Sequence, residues 1–340
     1  MSDKKTHLGV VIVGTVDAGK STTTGHLLFE LGGLSQRELD KLKAEADALG
    51  KGSFAFAFFM NKNKDERARG VTIQCATKEF YTDNYHYTII DAPGHKDFIK
   101  NMISGASQAD VAVILVPADG NFEASIQKEN RKKGKMEGQS KAHARLCKLL
   151  GIEQVIVAIN KMDSEVCNWS LDRYNEIKDE MSRVLKGIGY KPKKIPFIPM
   201  SGFKGDNLVK PSENAPWYKG FSIKRKDGSK VEGVTLLDAL NNYVVPPKRD
   251  TSGPLRMPVS GVYKIKGVGD VITGRVEQGK VKPGQMVRFV PSKTSGKVFS
   301  VEMHHKSVES AEPGDNVGLN IKGLDKNNMP RVGDVMFVES

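Results

Sequence analysis

The 340-residue sequence has few cysteines and no long apolar run. Its three cysteines, Cys75, Cys147 and Cys167, are odd in number and widely spaced, which excludes a disulfide framework or a zinc cluster and favours a reducing compartment. No run approaches the roughly 20 apolar residues that cross a bilayer, and residues 1–7 are polar, so we expect neither a signal peptide nor a membrane segment. These absences predict a cytoplasmic protein that has no membrane partner.

Acidic residues are outnumbered, with 40 Asp and Glu against 52 Lys and Arg and a net charge of +12. A surplus of this size favours a polyanionic partner, and nucleic acid is the leading candidate. On charge alone, a basic surface without any such partner explains the count equally well. The length predicts two or three domains, and a content of 39% hydrophobic and 27% charged residues is typical of globular domains.

A phosphate-binding pattern is present near the start of the chain. Residues 14–21, GTVDAGKS, fit G-x-x-x-x-G-K-[ST], in which the glycines let backbone N–H groups surround a β-phosphate. Lys20 would supply charge to the β- and γ-phosphates, and Ser21 would offer a hydroxyl to Mg²⁺. Residues 8–13 predict a strand before this loop and residues 22–31 a helix after it, a setting that a chance Gly-rich turn would lack. The residues predicted to bind the phosphates here are Gly14, Asp17, Ala18, Gly19, Lys20, Ser21 and Thr22.

Two further segments supply candidates for the γ-phosphate side of the site. The polar segment 61–70 is typical of a mobile loop that orders around a ligand, and Thr72 just after it is a candidate second Mg²⁺ ligand. A strand predicted at residues 87–90 ends in the sequence DAPGH. There Asp91 can hold the Mg²⁺ shell through water, and Gly94 can bring its backbone N–H against the γ-phosphate. His95 can orient an attacking water, although a lone histidine is more often structural.

A third group of residues is suited to select the base. Apolar residues 155–159 predict a strand that delivers Asn160, Lys161 and Asp163. A carboxylate accepts two hydrogen bonds from guanine N1 and N2 but meets the lone pair of adenine N1, so Asp163 favours GTP over ATP. Asn160 can bond the base edge and tie loops together, while the stem of Lys161 covers the ring face. The strand predicted at residues 197–200 delivers a backbone that can reach the guanine oxygen, at Ser201, Gly202 and Phe203.

The predicted fold class is α/β, because all three groups follow strands, and ligands bind at the carboxyl ends of strands in open α/β sheets. We expect a P-loop domain with a mostly parallel sheet and helices on both faces at residues 1–245, followed by a linker at residues 246–253. Residues 254–340 predict a small all-β barrel, since short β-rich runs alternate there with glycine turns. The predicted runs are 257–263, 271–276, 285–290, 298–303, 316–321 and 335–338.

Taken together, these motifs resemble the translational GTPases, above all eukaryotic elongation factor 1-alpha and its relative, the elongation factor-like protein. The resemblance covers nearly the whole chain and rests on GTVDAGKSTTTGHL, DERARGVTI, DAPGHKDFIKNMI, NKMD, SGFKGDN, GVGDVITGRVEQG and MHHKSVESAEPGDNVGLNIKGLDKNNMPRVGDV. The segment GKGSFAFAFFM is more similar to the elongation factor-like branch.

The resemblance implies a ribosome-stimulated GTPase that uses GTP, GDP and Mg²⁺ and carries aminoacyl-tRNA to the ribosomal A site. By position in the family motifs, Ser21 and Thr72 are the Mg²⁺ ligands, His95 positions the water, and His95, Lys20 and Thr72 take part in hydrolysis. The barrel, as domain 2 of a translation factor, would help hold the aminoacylated end of the tRNA. A nucleotide exchange factor is an implied partner, actin is a further candidate, and we expect a monomer.

Other functions stay open from the sequence alone. The same GTPase machinery serves termination and mRNA surveillance, a phosphotransferase or ATPase would prefer ATP, and a cytoskeletal or scaffold protein would use the basic surface without nucleotide. The sequence also departs from the family pattern. Thr15 stands where the family usually has histidine, and the family carries a further β-barrel after domain 2 that this sequence does not include. Since that barrel supports tRNA binding in the family, the sequence does not define the tRNA affinity of this chain.

Overall fold

A computed structural model describes residues 5–61, 63–69, 71–127, 137–225, 227–303 and 306–338. The chain divides into two compact units, Met1–Pro246 and Pro247–Ser340. Residues 62 and 70 of the loop that the sequence predicts to be mobile lie outside the described residues. Within the described ranges, no helix has the length and apolar content that crossing a bilayer requires.

The first unit is built on one sheet with the strand order β2-β3-β1-β4-β5-β6. Its strands are β1 (Thr6–Gly14), β2 (Ala76–Tyr81), β3 (Tyr85–Asp91), β4 (Val111–Pro117), β5 (Gln154–Asn160) and β6 (Phe197–Pro199). Every neighbouring pair is parallel except β2 with β3, which is antiparallel. A separate antiparallel hairpin joins β7 (Phe221–Lys224) to β8 (Lys230–Gly233).

Helices cover both faces of this sheet. Val10 and Ile12 of β1 belong to one buried cluster, whereas Val11 and Val13 belong to the cluster on the opposite face. Because both faces are buried, β1 and its neighbours are apolar at nearly every position rather than at alternate ones. The helices are α1 (Lys20–Glu30), α2 (Gln36–Ala48), α3 (Ala55–Met60), α4 (Lys64–Arg69), α5 (Ile99–Ala106), α6 (Phe122–Ile126), α7 (Gln139–Leu149), α8 (Leu171–Ile188) and α9 (Leu236–Asp238).

The aromatic segment 54–60 contains α3, and Phe58 is buried in a small cluster with Leu39 and Ala46 of α2. A Cβ at Gly25 of α1 would lie only 2.1 Å from the carbonyl oxygen of Phe56, so α1 and α3 pack backbone against backbone. This helix cannot be read from the sequence, because a run of apolar residues without polar positions carries no helical period.

The second unit is an antiparallel β-barrel. Its strands are β9 (Met257–Ile265), β10 (Gly269–Arg275), β11 (Met286–Val290), β12 (Ser295–Met303), β13 (Lys306–Val308), β14 (Asn316–Lys322) and β15 (Val335–Val338). The order β11-β15-β9-β10-β14-β12-β13, with an added pairing of β11 to β12, closes six of these strands on themselves. All six runs predicted from the sequence form barrel strands, and β13 is an addition to them. Buried side chains fill the interior, among them Met257, Ile272, Phe289 and Leu319.

Candidate functional site

The loop between β1 and α1 lies at the carboxyl end of the sheet, and its shape depends on two glycines. A Cβ at Gly14 would lie 2.3 Å from the carbonyl oxygen of Leu115, and one at Gly19 would lie 2.5 Å from Nδ2 of Asn160. Gly19 and Asp17 also have positive φ angles, 87° and 59°, that residues with a Cβ rarely adopt. The backbone therefore turns tightly between β1 and α1, as a loop that wraps around a phosphate must.

A small cavity of about 70 Å³ lies at this loop. Its lining includes the predicted residues Asp17, Gly19, Lys20, Ser21, Thr22, Thr72, Gly94 and His95. Phe54, Ala57 and Val71 line it as well. Segments separated by up to 79 positions in the sequence, from Val16 to His95, thus meet at one point.

Lys20 is 7% exposed, and its Nζ donates a hydrogen bond to the carbonyl oxygen of Thr15 at 2.7 Å. Burial lowers the pKa of this ammonium to about 8, while Asp91 and Asp17 act in the opposite direction. A cation desolvated in this way interacts strongly with an anion that enters the same cavity, because the dielectric there is lower than in water.

Three oxygen-bearing side chains suited to a hard cation lie next to Lys20. Ser21 Oγ is 3.0 Å from Thr72 Oγ1, and Asp91 is fully buried. Neither carboxylate oxygen of Asp91 makes a hydrogen bond of ordinary geometry within the described residues. Burial raises the pKa of Asp91 to about 6, against the opposing effects of the Ser21 hydroxyl and Lys20. The buried Asp91 carboxylate and the hydroxyls of Ser21 and Thr72 form an all-oxygen donor set, and it fits Mg²⁺.

Thr72 and the two residues after it make polar contacts with three other side chains. Its Oγ1 lies 3.4 Å from Oδ1 of Asn61, and Oε1 of Glu66 accepts hydrogen bonds from the backbone N–H groups of Ile73 at 2.7 Å and Gln74 at 3.0 Å. Nδ2 of Asn101 donates to the carbonyl oxygen of Ile73 at 2.7 Å. Glu66 and Asn101 therefore set the position of the segment that carries Thr72.

His95 lines the same cavity with its ring partly exposed. The backbone N–H of Asp97 donates to its Nδ1 at 3.2 Å. The carboxylate oxygen Oδ2 of Asp97 lies 3.4 Å from the same nitrogen, so Asp97 orients the ring through Nδ1. The other ring nitrogen, Nε2, can exchange a hydrogen bond with a water molecule in the cavity.

Asn160 connects the phosphate loop to the segments predicted to bind the base. Its Nδ2 donates to the carbonyl oxygen of Ala18 at 2.8 Å, and its Oδ1 accepts from the backbone N–H of Gly202 at 2.7 Å. Lys161 follows with a positive φ of 63°, and its Nζ bonds Oδ2 of Asp119 at 2.9 Å. Asp163 is half-buried, Ser201 is buried, and the Phe203 side chain is 46% exposed.

Several residues that support the site were missed in the sequence. Gln139 Oε1 accepts from Thr15 Oγ1 at 3.0 Å and from the backbone of Val16 at 3.3 Å. His26 Nδ1 bonds the carbonyl oxygen of Gly202 at 2.9 Å, while its ring stacks on Phe56 with the centroids 4.2 Å apart. Asp119 had a usable signal, since it follows the carboxyl end of β4. Gln139 and His26 lie inside helices, and nothing in the local pattern marks them.

Comparison with known proteins shows which family this chain resembles and which solved structures share its fold. The family model described as the elongation factor Tu GTP binding domain matches residues 5–246, and that described as elongation factor Tu domain 2 matches residues 269–337. The chain is 51% identical over 323 residues to elongation factor 1-alpha of Coccidioides immitis (strain RS), which covers 95% of this chain and 68% of that relative. It is 51% identical over 325 residues to elongation factor 1-alpha of Onchocerca volvulus, and this match also covers 95% of this chain and 68% of that relative.

Among solved structures, the S. cerevisiae Ski7 GTPase-like domain bound to GTP is similar with a TM-score of 0.78. The match covers 99% of this chain and 76% of that one. At 19% identity this likeness concerns the fold alone.

Proposed function

The chain belongs to the family of translation elongation GTPases with an elongation factor Tu GTP-binding domain and domain 2, and on that premise we propose that it delivers aminoacyl-tRNA to the ribosomal A site. As a family member it binds GTP and GDP and hydrolyses GTP. The observation that carries the proposal is the meeting of Ser21, Thr72 and His95 at one cavity beside the phosphate loop. Such an arrangement lets a γ-phosphate control the segment around Thr72, as a switch requires.

In the proposed mechanism, Lys20 and the backbone N–H groups of residues 14–21 hold the β- and γ-phosphates. Ser21 and Thr72 would ligate Mg²⁺ directly and Asp91 through water; when bound, this ion neutralises charge on the phosphate oxygens. Nε2 of His95 would orient a water molecule for in-line attack on the γ-phosphate, with GDP as the leaving group. No strong general base is evident for the attacking water among the described residues that line the cavity, so hydrolysis without the ribosome should be slow.

At the other end of the nucleotide, Asp163 would accept hydrogen bonds from guanine N1 and N2, and the stem of Lys161 would cover the ring. The bonds from Asn160 to Ala18 and Gly202 support this assignment, because they keep the base-binding loops at a fixed distance from the phosphate loop. The backbone at Ser201, Gly202 and Phe203 would reach the guanine oxygen.

The proposed partners are aminoacyl-tRNA, the ribosome and a guanine-nucleotide exchange factor, with actin as a further candidate. We propose that the chain acts as a monomer in the cytoplasm, where translation takes place. The barrel unit would contact the aminoacylated end of the tRNA, and the net charge of +12 supports a nucleic-acid partner.

Protection of aminoacyl-tRNA from deacylation tests this proposal. The half-life of the ester bond is measured with purified chain in excess Mg²⁺, first with a non-hydrolysable GTP analogue and then with GDP. Delivery of tRNA requires protection with the analogue and little with GDP. A chain that binds both nucleotides but protects in neither state belongs to a different step, such as termination or mRNA surveillance.

A further inference from the structure

The first unit contains a second, much larger concavity away from the nucleotide loop. This groove has a volume of about 930 Å³ and lies between α8, the short helical turn Pro192–Lys194 and β7. None of its lining residues lines the cavity at the phosphate loop. The turn Pro192–Lys194 precedes the amino end of β6, whereas the residues predicted to bind the nucleotide follow the carboxyl ends of strands. The groove is therefore spatially separate from the proposed GTPase site.

Every charged side chain that lines this groove is basic. Lys178 and Lys186 stand two helical turns apart on α8, in one stripe with Ser182. The remaining cations of the lining are Arg183, Lys191, Lys193 and Lys194. Arg183 pairs with Glu180 outside the lining. Within the part of the chain that the structure describes, the five lysines form no salt bridge and are exposed, so their charges are available to an anion.

The floor of the groove is apolar and its polar atoms are already bonded. The hydroxyl of Tyr174 donates to the carbonyl oxygen of Phe197 at 3.1 Å, and that of Tyr190 donates to the carbonyl oxygen of Ile152 at 2.8 Å. Tyr174, Tyr190 and Phe197 are each only 5% exposed, so their ring faces are not open for stacking. Proteins that bind single-stranded nucleic acid use exposed aromatic faces on which the bases stack, and the described aromatic residues of this floor do not offer such faces. A small inorganic polyanion would use the rim but not the apolar floor.

We propose that this groove binds an extended acidic peptide segment of a partner protein, in which apolar side chains alternate with carboxylates. The apolar side chains pack on Pro192 and on the aliphatic stems of the lysines that line the groove. The carboxylates pair with the lysines of α8 on one wall and with Lys191, Lys193 and Lys194 on the other. Charge complementarity sets the orientation and the rate of association, and burial of the apolar side chains supplies affinity.

Fluorescence polarisation with the full chain tests this site. The probe is a fluorescein-labelled ten-residue peptide in which Glu and Asp alternate with Leu and Phe. The variant Lys193→Glu/Lys194→Glu reverses two charges of the groove, and Lys41→Glu/Lys43→Glu on α2 makes the same change in net charge at exposed lysines outside it. GDP binding is measured on both variants, and unchanged affinity shows that each is folded and that the GTPase site is intact.

We expect saturable binding by the unaltered chain, a loss of about tenfold or more in the groove variant and less than about twofold in the control. A matched peptide with serine in place of Leu and Phe should bind more weakly, since it has no apolar side chains to bury in the groove. Absence of saturable binding, equal losses in the two variants, or equal affinity for the serine peptide would each overturn the proposal. Binding of a ten-nucleotide uridine RNA that is lost only in the groove variant, without peptide binding, would assign the groove to nucleic acid instead.

Discussion

Ser21 and Thr72 bring their hydroxyl oxygens to 3.0 Å although 51 positions separate them in the sequence. Ser21 is fixed at the start of α1, whereas Thr72 lies in a segment whose place depends on Glu66 and Asn101. Binding of a metal ion between the two oxygens would therefore depend on the position of the segment that carries Thr72. We propose that this pair distinguishes a nucleoside triphosphate from a diphosphate.

Replacing Thr72 should weaken the binding of GTP more than the binding of GDP. In Thr72→Ala the hydroxyl that would ligate Mg²⁺ beside the γ-phosphate is lost, and we expect GTP affinity to fall about tenfold with GDP affinity nearly unchanged. Equilibrium binding of fluorescent GTP and GDP analogues measures both. Thr72→Ser keeps the hydroxyl and should restore most of the preference; equal losses for the two nucleotides would remove Thr72 from the metal shell.

Asp163 should decide which purine binds. Asp163→Asn replaces one acceptor with a donor opposite guanine N1, so we expect GTP affinity to fall by at least about 100-fold. Competition between GTP, XTP and ATP measures the change. XTP should become the better ligand, because its base presents a carbonyl where guanine has an amine. Retained GTP selectivity would show that another residue reads the base.

His95 should affect turnover and not binding. His95→Ala removes the ring nitrogen Nε2 that would orient the attacking water, and we expect ribosome-stimulated hydrolysis to fall by about 100-fold or more. GDP and GTP affinities should stay within about twofold, because the ring lines the cavity at its partly exposed side. Single-turnover release of phosphate with and without ribosomes is the measurement. Unchanged stimulated turnover would exclude His95 from the mechanism.

His143 of α7 should make the folded state sensitive to acid. Burial lowers the pKa of this histidine to about 4, the Lys20 ammonium lowers it further, and the Gly14 backbone opposes both effects. Below about pH 6.5 the unfolded chain binds a proton that the folded chain does not, so stability falls as pH falls from about 6.5 towards 4. The expected loss between pH 7 and pH 5 is about 2 kcal/mol.

Urea unfolding of the unaltered chain and of His143→Gln at both pH values checks this contribution. The raised pKa of Asp91 acts in the opposite direction, since the folded state then binds the extra proton between about pH 4 and pH 6. Only the difference between the two proteins therefore isolates His143. Equal pH dependence in both would mean that His143 is protonated in the folded state.

The sequence predicted the parts of the site that depend on local geometry. Gly14, Gly19, Lys20 and Ser21 belong to a motif of eight consecutive residues, and the runs on either side of it predict the strand before and the helix after. The barrel strands could be predicted as well, because glycine turns separate short runs that are rich in β-forming residues.

What could not be predicted depends on pairs that are distant in the sequence. His26 and Gly202 are 176 positions apart, and Thr15 and Gln139 are 124 apart. Each pair exists because the parallel sheet brings the ends of β1 and its neighbours to one edge, and the strand order is not a local property. The base-selecting role of Asp163 and the metal-binding role of Thr72 remain predictions. Each depends on a group that is not part of the chain itself, the guanine base or the metal ion.

The backbone contact between Gly25 and Phe56 has a consequence for how tightly the phosphate cavity can close. With 2.1 Å between the Phe56 oxygen and the place of a Cβ at position 25, even one methyl group would act as a wedge under α3. We expect such a residue to push α3, which carries Ala57 of the cavity lining, away from α1. Gly25 thus limits how closely the two helices pack, and a bulkier residue at this position should speed the release of nucleotide without any change in the residues predicted to bind it.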